Sequence, residues 1–213
     1  MLIVHHLGKS QSERIVWLCE ELGIPCELKR YDRRADNRMA PPEYKALHPL
    51  GSAPVINDGD VVLAESGAVV EYIIAIYGNR RLTLAPDHPG FADYLYWFHF
   101  ANGSFQPAIM RVFAMLRLDP APDHPALKVA VQRREQMLGL IDARLASADY
   151  LAGEAFTAAD IMTVFSVTTM RLFHDYSLAP YPNILAYLAR IGARPCYQRA
   201  MQKGDPGMVP LLT

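Results

Sequence analysis

The spacing of apolar residues changes near residue 80, and no other feature restricts the fold of this chain as strongly. Before that point, short apolar runs such as residues 2–4 and 61–63 alternate with segments of helical period. Beyond it, the apolar residues follow helical periods and no segment alternates as a strand does. The pattern predicts an α/β unit of order β-α-β-α-β-β-α, followed by an all-α unit. We place the α/β domain at residues 1–80 and the helical domain at residues 88–213.

Turn and cap residues support this division. Gly23 predicts the end of the first helix, because glycine accepts the left-handed conformation of a C-terminal cap. Asp58 and Gly59 lie between two apolar runs and predict a tight hairpin. Thr157 and Asp160 stand three residues apart just before an apolar run, which is the spacing of a capping box.

Charge and composition argue against several classes of partner. The net charge is −1 and 20% of residues are charged, so neither nucleic acid nor an anionic membrane surface is expected. No apolar run approaches the ~20 residues of a membrane span, and the N-terminus lacks the basic leader of a secretory signal. Cys19, Cys26 and Cys196 have no CxxC spacing and indicate free thiols in the cytoplasm. His5 and His6 would lie on opposite faces of a strand, so no metal site is predicted.

An acid and a hydroxyl stand together where the hairpin passes into a helix. If Ser66 begins that helix, its free N–H groups and dipole favour a carboxylate, and Glu65 can accept from an ammonium. The pair would match an α-amino acid head group. The alternative is that Ser66 is only a cap and Glu65 a solvated turn residue. A cis bond at Pro54 would leave the backbone of Val55 free to pair with an extended peptide ligand.

Four segments together resemble the cytosolic glutathione transferase superfamily. The segment "GSAPVINDGDVVLAESGAVVEYI" resembles its glutathione-binding segment, "SQSERIVWLCEELGIPCEL" its first helix and second strand, and "MAPPEYKALHPLGSAPVI" its second helix and third strand. The segment "FTAADI" resembles the capping box in its helical domain. The resemblance runs through the whole chain in order. It implies a thioredoxin-like domain followed by an all-helical domain.

The resemblance also implies roles for individual residues. Glu65 and Ser66 would hold the γ-glutamyl amine and carboxylate of glutathione, Pro54 would be a cis-proline, and Val55 would pair with the cysteinyl backbone. The family often has a basic residue just before the Val-Pro step, where this chain has Ser52. The glycyl carboxylate would then be held differently, and Arg38 and His48 are the two candidates.

A transferase of this kind holds glutathione as the thiolate, which is the nucleophile. A hydroxyl donor at the start of the first helix would favour that form. Ser10 is the first candidate for it, followed by Ser12 and then by His5 at the strand end. Ser10 also has the spacing of a capping box with the acid at position 13, so a purely structural role is an alternative. Counted back from Arg14, the common catalytic position of the family falls on Lys9, next to Ser10.

No cysteine lies in this loop, which favours a bacterial-type, serine-like member over the cysteine-type branch. The resemblance implies a cytoplasmic detoxification enzyme, usually a homodimer, that conjugates glutathione to a small hydrophobic electrophile. The alternatives are a non-catalytic binding or dimerisation module, or a glutathione-dependent isomerase, dehalogenase or peroxidase.

The electrophile would lie between the domains, against the first helices of the second half. Large apolar residues are frequent there, and most of them would fill the core while a subset could line a pocket. The apolar candidates are Tyr94, Trp97, Phe98, Phe100, Phe105, Met110 and Phe113, and the polar ones are His99, Asn102 and Arg111.

Overall fold

The computed structural model describes residues 1–213, and its first part is built on a mixed four-stranded sheet of order β2-β1-β3-β4. Strands β1 and β2 are parallel, while β3 is antiparallel to both β1 and β4. The elements of this part are β1 (Leu2–Leu7), α1 (Glu13–Leu22), β2 (Glu27–Tyr31), α2 (Pro42–Lys45), β3 (Val55–Asp58), β4 (Val61–Ala64) and α3 (Ser66–Ile76). The predicted order β-α-β-α-β-β-α is therefore confirmed.

The second part is helical, as its periodicity predicts. Its elements are α4 (Phe91–Phe100), a π-helical turn (Ala101–Phe105), α5 (Gln106–Leu116), α6 (Pro125–Leu145), α7 (Ala158–Val167), a 3₁₀ turn (Thr169–Leu172), α8 (Pro182–Gly192) and α9 (Pro195–Gly204). The π-helical turn joins α4 to α5 without a break, and π-helical turns of this kind are frequent at functional sites. No helix combines the length and the apolar character that crossing a bilayer requires.

The predicted turns form, with one shift. Gly23 has a φ of 62° and caps α1. In the hairpin, Asp58 still pairs with Val61 across β3 and β4, so the two turn residues are Gly59 and Asp60 rather than Asp58 and Gly59. Only the glycine needs a positive φ, which is 58°.

One continuous apolar core holds the two parts together. It consists of 45 buried residues from both, and α1 lies at its centre. Trp17 on α1 packs against Phe156 and Tyr197, with ring centroids 5.3 and 4.9 Å away. Glu21 at the end of α1 accepts two hydrogen bonds of 2.8 Å from the Arg194 guanidinium before α9. The helical part is therefore packed directly on the first helix of the α/β part.

The capping box at the start of α7 forms as predicted. Asp160 is fully buried, and its carboxylate accepts from the backbone N–H of Thr157 at 2.9 Å and of Leu151 at 3.0 Å. It also accepts from the hydroxyl of Tyr187 on α8 at 3.0 Å. One side chain thereby satisfies three buried donors from three segments, besides the Thr157 hydroxyl, which donates to it at 3.3 Å.

We predict that Asp160→Ala lowers the free energy of unfolding by about 3 kcal/mol or more, because three buried donors lose their acceptor at once. Urea denaturation at neutral pH measures this loss. Asp123→Ala, at an exposed position before α6, is the matched control and should change stability by less than about 0.5 kcal/mol. Equal losses in the two variants would contradict the prediction.

Candidate functional site

The start of α3 is a helix N-terminus that no protein side chain caps. Ser66 is the first helical residue, and Glu65 before it has φ 71° and ψ 114°. A non-glycine residue in this left-handed conformation costs about 1–3 kcal/mol, and such residues concentrate at ligand sites. The first N–H groups of a helix lack intrahelical acceptors. Their partial positive charge faces away from the helix and favours an anion there.

The hydroxyl of Ser66 is oriented by two donors. Its Oγ accepts from Arg14 Nη1 at 3.0 Å and from Asn102 Nδ2 at 2.8 Å. A hydroxyl oxygen has two lone pairs and one hydrogen. With both lone pairs occupied, the O–H of Ser66 is left as a donor. The residue is only 2% exposed, so a ligand would reach it at the end of a narrow approach.

Arg14, on the first turn of α1, links the two parts of the chain at this position. Its guanidinium is completely buried and donates to Gln11 Oε1 at 2.7 Å, Asn102 Oδ1 at 3.0 Å and Gln106 Oε1 at 3.0 Å, besides Ser66. Burial lowers the pKa of Arg14 to about 9, against the opposing charges of Glu13 and Glu65, so the group stays protonated at neutral pH. No motif of the sequence marks Arg14 as a site residue. Its signal is a charged residue beside the apolar face of a helix.

Ser10 and Ser12 lie at the head of α1 and are hydrogen-bonded to each other. Their Oγ atoms are 2.7 Å apart, and Ser10 Oγ also accepts from the Ser12 N–H at 3.2 Å. The helix begins at Glu13, with Ser12 as the flanking residue, so the capping box considered for Ser10 and Glu13 does not form. Ser10 is 5% exposed and Ser12 is fully buried. Both serines are buried, and Ser10 is the slightly more exposed of the two.

Both ring nitrogens of His5 are hydrogen-bonded to side chains of neighbouring strands. Its Nδ1 lies 2.9 Å from the Tyr31 hydroxyl and its Nε2 lies 2.8 Å from Asn57 Oδ1. Burial lowers the pKa of His5, although the bond to Asn57 opposes the shift. Both ring nitrogens are occupied, so His5 is a structural residue and the weakest of the three candidates for thiol activation. His6 lies on the opposite face of β1, and no cluster of three potential metal ligands occurs in the structure.

Before β3, the residue with unpaired backbone groups is Ala53 and not Val55. The Ala53-Pro54 bond is cis. Val55, however, lies opposite His5 of β1 on one side and Ala64 of β4 on the other. An interior strand has no free edge, which argues against the expectation that Val55 pairs with an extended ligand. The residue before the proline, Ala53, lies outside the sheet and forms no backbone hydrogen bond.

The two candidates for a glycyl carboxylate lie apart from the start of α3. The Arg38 guanidinium is exposed and lies 4.8 Å from the ring centroid of Phe173, which Arg33 also contacts at 4.9 Å. His48 accepts from the Leu50 N–H through Nδ1 at 3.1 Å, which leaves its Nε2 free. No hydrogen bond joins Arg38 or His48 to the residues at the head of α3.

Most of the large apolar residues of α4 and α5 fill the core. Tyr94, Trp97, Phe98, Phe100 and Phe105 are buried, and Met110 is exposed.

A depression of about 460 Å³ lies on the outer side of α4 and the π-helical turn. It is lined by Leu95, Tyr96, His99, Phe100, Gly103 and Ser104. None of the residues at the heads of α1 and α3 lines it, so it is separate from the start of α3.

Comparison with known proteins points to one family. Residues 1–75 match the model of the glutathione S-transferase N-terminal domain, and residues 105–195 match that of the C-terminal domain. Glutathione S-transferase 3 of Schizosaccharomyces pombe is 35% identical over 100% of this chain and 92% of its own.

Two solved structures are similar along nearly their whole length. A glutathione S-transferase from Actinobacillus pleuropneumoniae superposes with a TM-score of 0.87 at 32% identity, covering 96% of this chain and 93% of the other. A theta class glutathione S-transferase from Xanthomonas axonopodis pv. citri, solved with glutathione bound, superposes with a TM-score of 0.72 at 27% identity. It covers 93% of this chain and 96% of the other.

Glu13 gives the head of α1 a pH-dependent stability. It is 5% exposed and its Oε2 has no partner. Burial raises its pKa to about 8, although the nearby Thr169 hydroxyl opposes the shift, so the folded protein holds this carboxyl protonated at neutral pH. Since the folded pKa exceeds the unfolded one, the folded state binds the extra proton. Stability therefore falls as pH rises from about 4.5 to about 8, and the loss persists above that range.

We predict that Glu13→Gln removes this loss. The free energy of unfolding of the variant, relative to the natural protein, should increase by a few kcal/mol between pH 5 and pH 9. Urea denaturation at both pH values measures it. A constant difference between the two proteins across this range would contradict a buried neutral carboxyl at position 13.

Proposed function

This chain belongs to the glutathione S-transferase family, and we propose that it conjugates the thiolate of reduced glutathione to a small hydrophobic electrophile. The observation that carries the proposal is the uncapped start of α3, where an exposed Glu65 in a left-handed conformation stands beside the oriented hydroxyl of Ser66. An acceptor and a set of N–H and O–H donors at one position suit a zwitterion.

The γ-glutamyl end of glutathione provides that zwitterion. Its carboxylate would accept from the first N–H groups of α3 and from the Ser66 hydroxyl, and its ammonium would donate to Glu65. The negative charge of Glu65 acts on the buried Arg14, so the acid and the guanidinium that orients Ser66 belong to one electrostatic unit.

The cysteinyl part would pair with the backbone of Ala53, beside Pro54, rather than with Val55. Ala53 has an unpaired N–H and C=O outside the sheet, which is the arrangement that an extended peptide needs. Arg38 and His48 remain the candidates for the glycyl carboxylate. The first has an exposed guanidinium and the second a free Nε2.

Ser10 is the residue that we place against the thiol. It stands at the head of α1, where the helix dipole favours a thiolate, and it is the less buried of the two serines. Ser12 would act behind it. This assignment corresponds to a serine-like, bacterial-type member of the family.

The wider setting of the enzyme is also a proposal. We propose a homodimeric, cytoplasmic enzyme of detoxification with domains at residues 1–80 and 88–213. The three free cysteines support the cytoplasmic location. The absence of regular structure between Ile76 and Phe91 supports the boundary between the domains. An isomerase, dehalogenase or peroxidase would use the same glutathione site with a different substrate and reaction.

We predict that Glu65→Gln and Ser66→Ala each weaken glutathione binding by about ten- to a hundredfold, since each removes a hydrogen bond to a charged group of the ligand. Calorimetric titration with reduced glutathione measures the affinity. Glu71→Gln, an equal change of charge at an exposed position of the same helix, is the matched control and should bind normally. Conjugation of a nitro-activated aryl chloride then tests catalysis.

If the natural protein fails to bind millimolar glutathione, the proposed function is wrong and a non-catalytic module becomes the better description. If glutathione binds but no electrophile is conjugated, the product analysis distinguishes the isomerase, dehalogenase and peroxidase alternatives.

We further predict a homodimer. Leu95, Tyr96 and Met110 on α4 and α5 are large apolar residues at least 40% exposed, which suits a covered face. Sedimentation equilibrium should give twice the chain mass of 23.8 kDa. A species of single-chain mass at micromolar concentration would refute the dimer.

A further inference from the structure

A buried chain of hydrogen bonds runs from the head of α1 to the residue after α9. Ser10 Oγ lies 2.7 Å from Ser12 Oγ, and Ser12 Oγ lies 2.9 Å from His6 Nδ1. The other ring nitrogen, His6 Nε2, lies 3.1 Å from Asp205 Oδ2. None of these four residues is more than 7% exposed. The geometry joins an acid, an imidazole and two hydroxyls in a line with Asp205 at one end and Ser10 at the other.

The carboxylate of Asp205 sets the direction of every hydrogen bond in this line. An ionised carboxylate only accepts, so His6 Nε2 carries a hydrogen and, in the neutral ring, Nδ1 is an acceptor. Ser12 must then donate its one hydrogen to His6 Nδ1. The Leu7 N–H donates to Ser12 Oγ at 3.1 Å, and Ser10 must donate its own hydrogen to Ser12.

In this state the hydroxyl of Ser10 has no hydrogen left for a ligand and can only accept. If His6 gains a proton at Nδ1, the direction reverses. His6 then donates to Ser12, Ser12 donates to Ser10, and Ser10 donates outward. The arrangement therefore has two states, and one proton on His6 converts the first into the second.

We propose that His6 is the internal base of this enzyme and that the proton of the glutathione thiol reaches it through Ser10 and Ser12. The inference rests on the proposed function, because it deepens the role of Ser10 at that site. The S–H bond breaks as the proton passes to Ser10 Oγ, Ser10 passes its own proton to Ser12, and Ser12 passes its own to His6 Nδ1. Thiol and imidazole become thiolate and imidazolium, with no change in total charge or proton number.

After the step, the same line stabilises its product. Ser10 now donates to the thiolate, and Asp205 stands against the imidazolium. When the thiolate has attacked the electrophile, the proton on His6 can return by the same route to the leaving group or to water. Ser10 is the catalytic residue, because it touches the thiol. Ser12, His6 and Asp205 act through it and are positioning residues.

The surroundings of His6 suit a buried cation. Burial raises the pKa of Asp205, but its hydrogen bonds outweigh burial and hold that pKa below its usual range. The carboxylate pairs with His6 Nε2 at 3.1 Å and accepts from the Lys9 N–H at 3.0 Å through Oδ1 and 3.1 Å through Oδ2. Asp205 therefore remains ionised. A Cβ at Gly204 would lie 3.2 Å from His6 Nε2, so a glycine there lets the chain close on the ring.

Three other titratable groups face the pair of His6 and Asp205. Arg30, whose Nε donates to the Gly204 carbonyl at 2.8 Å, and Arg33 act on Asp205 from the β2 side. Glu13 faces Asp205 from α1, and burial keeps it protonated near neutral pH. Asp205 is thus the ionised acid paired directly with His6.

The first experiment counts protons when glutathione binds. Calorimetric titration at neutral pH in two buffers of different ionisation enthalpy gives the number of protons released, and ultraviolet absorbance gives the amount of bound thiolate. We expect thiolate to form with almost no proton released, because the proton stays on His6. S-methylglutathione, which has no thiol proton, is the control ligand and defines the baseline.

Thiolate formation with release of roughly one proton to the buffer would overturn the relay, and so would binding without thiolate. Either result would leave glutathione binding, and with it the proposed function, intact. A failure to bind glutathione at all would instead overturn the proposed function and the relay together.

Variants test the Asp205 end of this line of hydrogen bonds. Asp205→Asn retains the size and an acceptor for His6 but removes the charge opposite the imidazolium. We expect the apparent pKa of the bound thiol to rise by about one unit, and kcat/KM at neutral pH to fall about tenfold, with glutathione affinity within about twofold. A purely structural bond would leave the pH profile unchanged, and that result would contradict the proposal.

His6→Gln is the second variant. It should either release to the buffer the proton that the bound thiol loses on ionising, or form no thiolate. Circular dichroism and thermal unfolding establish that each variant is folded before it is compared. Should Asp205→Asn fail to fold, Ser12→Ala breaks the line at another point and should give the same loss in kcat/KM. Unchanged thiolate and kcat/KM in His6→Gln would refute the role of the histidine.

Discussion

The buried guanidinium of Arg14 is the interaction on which the site depends. A charge in a dry interior is tolerated when most of its donors are matched by acceptors. Both terminal nitrogens of Arg14 find oxygens, in the turn before α1, on α3, and where the π-helical turn continues into α5, and only its Nε has no partner. Satisfying one cation thus fixes the relative position of three elements. The hydroxyl of Ser66 is oriented as a consequence, since one of the two bonds that fill its lone pairs comes from Arg14 and the other from Asn102, which Arg14 also holds.

In the proposed enzyme, helix α1 combines a structural and a chemical role for a related reason. Its apolar face packs in the core that both parts of the chain share, and its end is bound to Arg194 before α9. Its head therefore has little freedom to move. A thiolate needs donors already in place before it forms, and a helix fixed along its length supplies them without further ordering.

Much of the fold was predictable because its signals are local. The change of apolar period, Gly23, Gly59 and the pair Thr157 and Asp160 each act within a few residues, and each of them forms a predicted element or turn. The hairpin turn shifted by one residue because the pairing of Asp58 with Val61 decides where the strands end. The sequence did not reveal that Val55 lies in an interior strand, because that position depends on its pairing with both β1 and β4.

By itself the sequence determined the fold class, the order of the elements, and the acid and hydroxyl at the start of α3. Periodicity and turn residues act over short distances and do not require knowledge of the packing. Only the tertiary structure decided that Arg14 meets Asn102 of the helical part and that His6 meets Asp205, 199 positions further along. These side chains are polar residues without a shared local pattern. Their partners depend on burial, because a buried donor without an acceptor costs free energy and must pair with a residue that the fold places nearby.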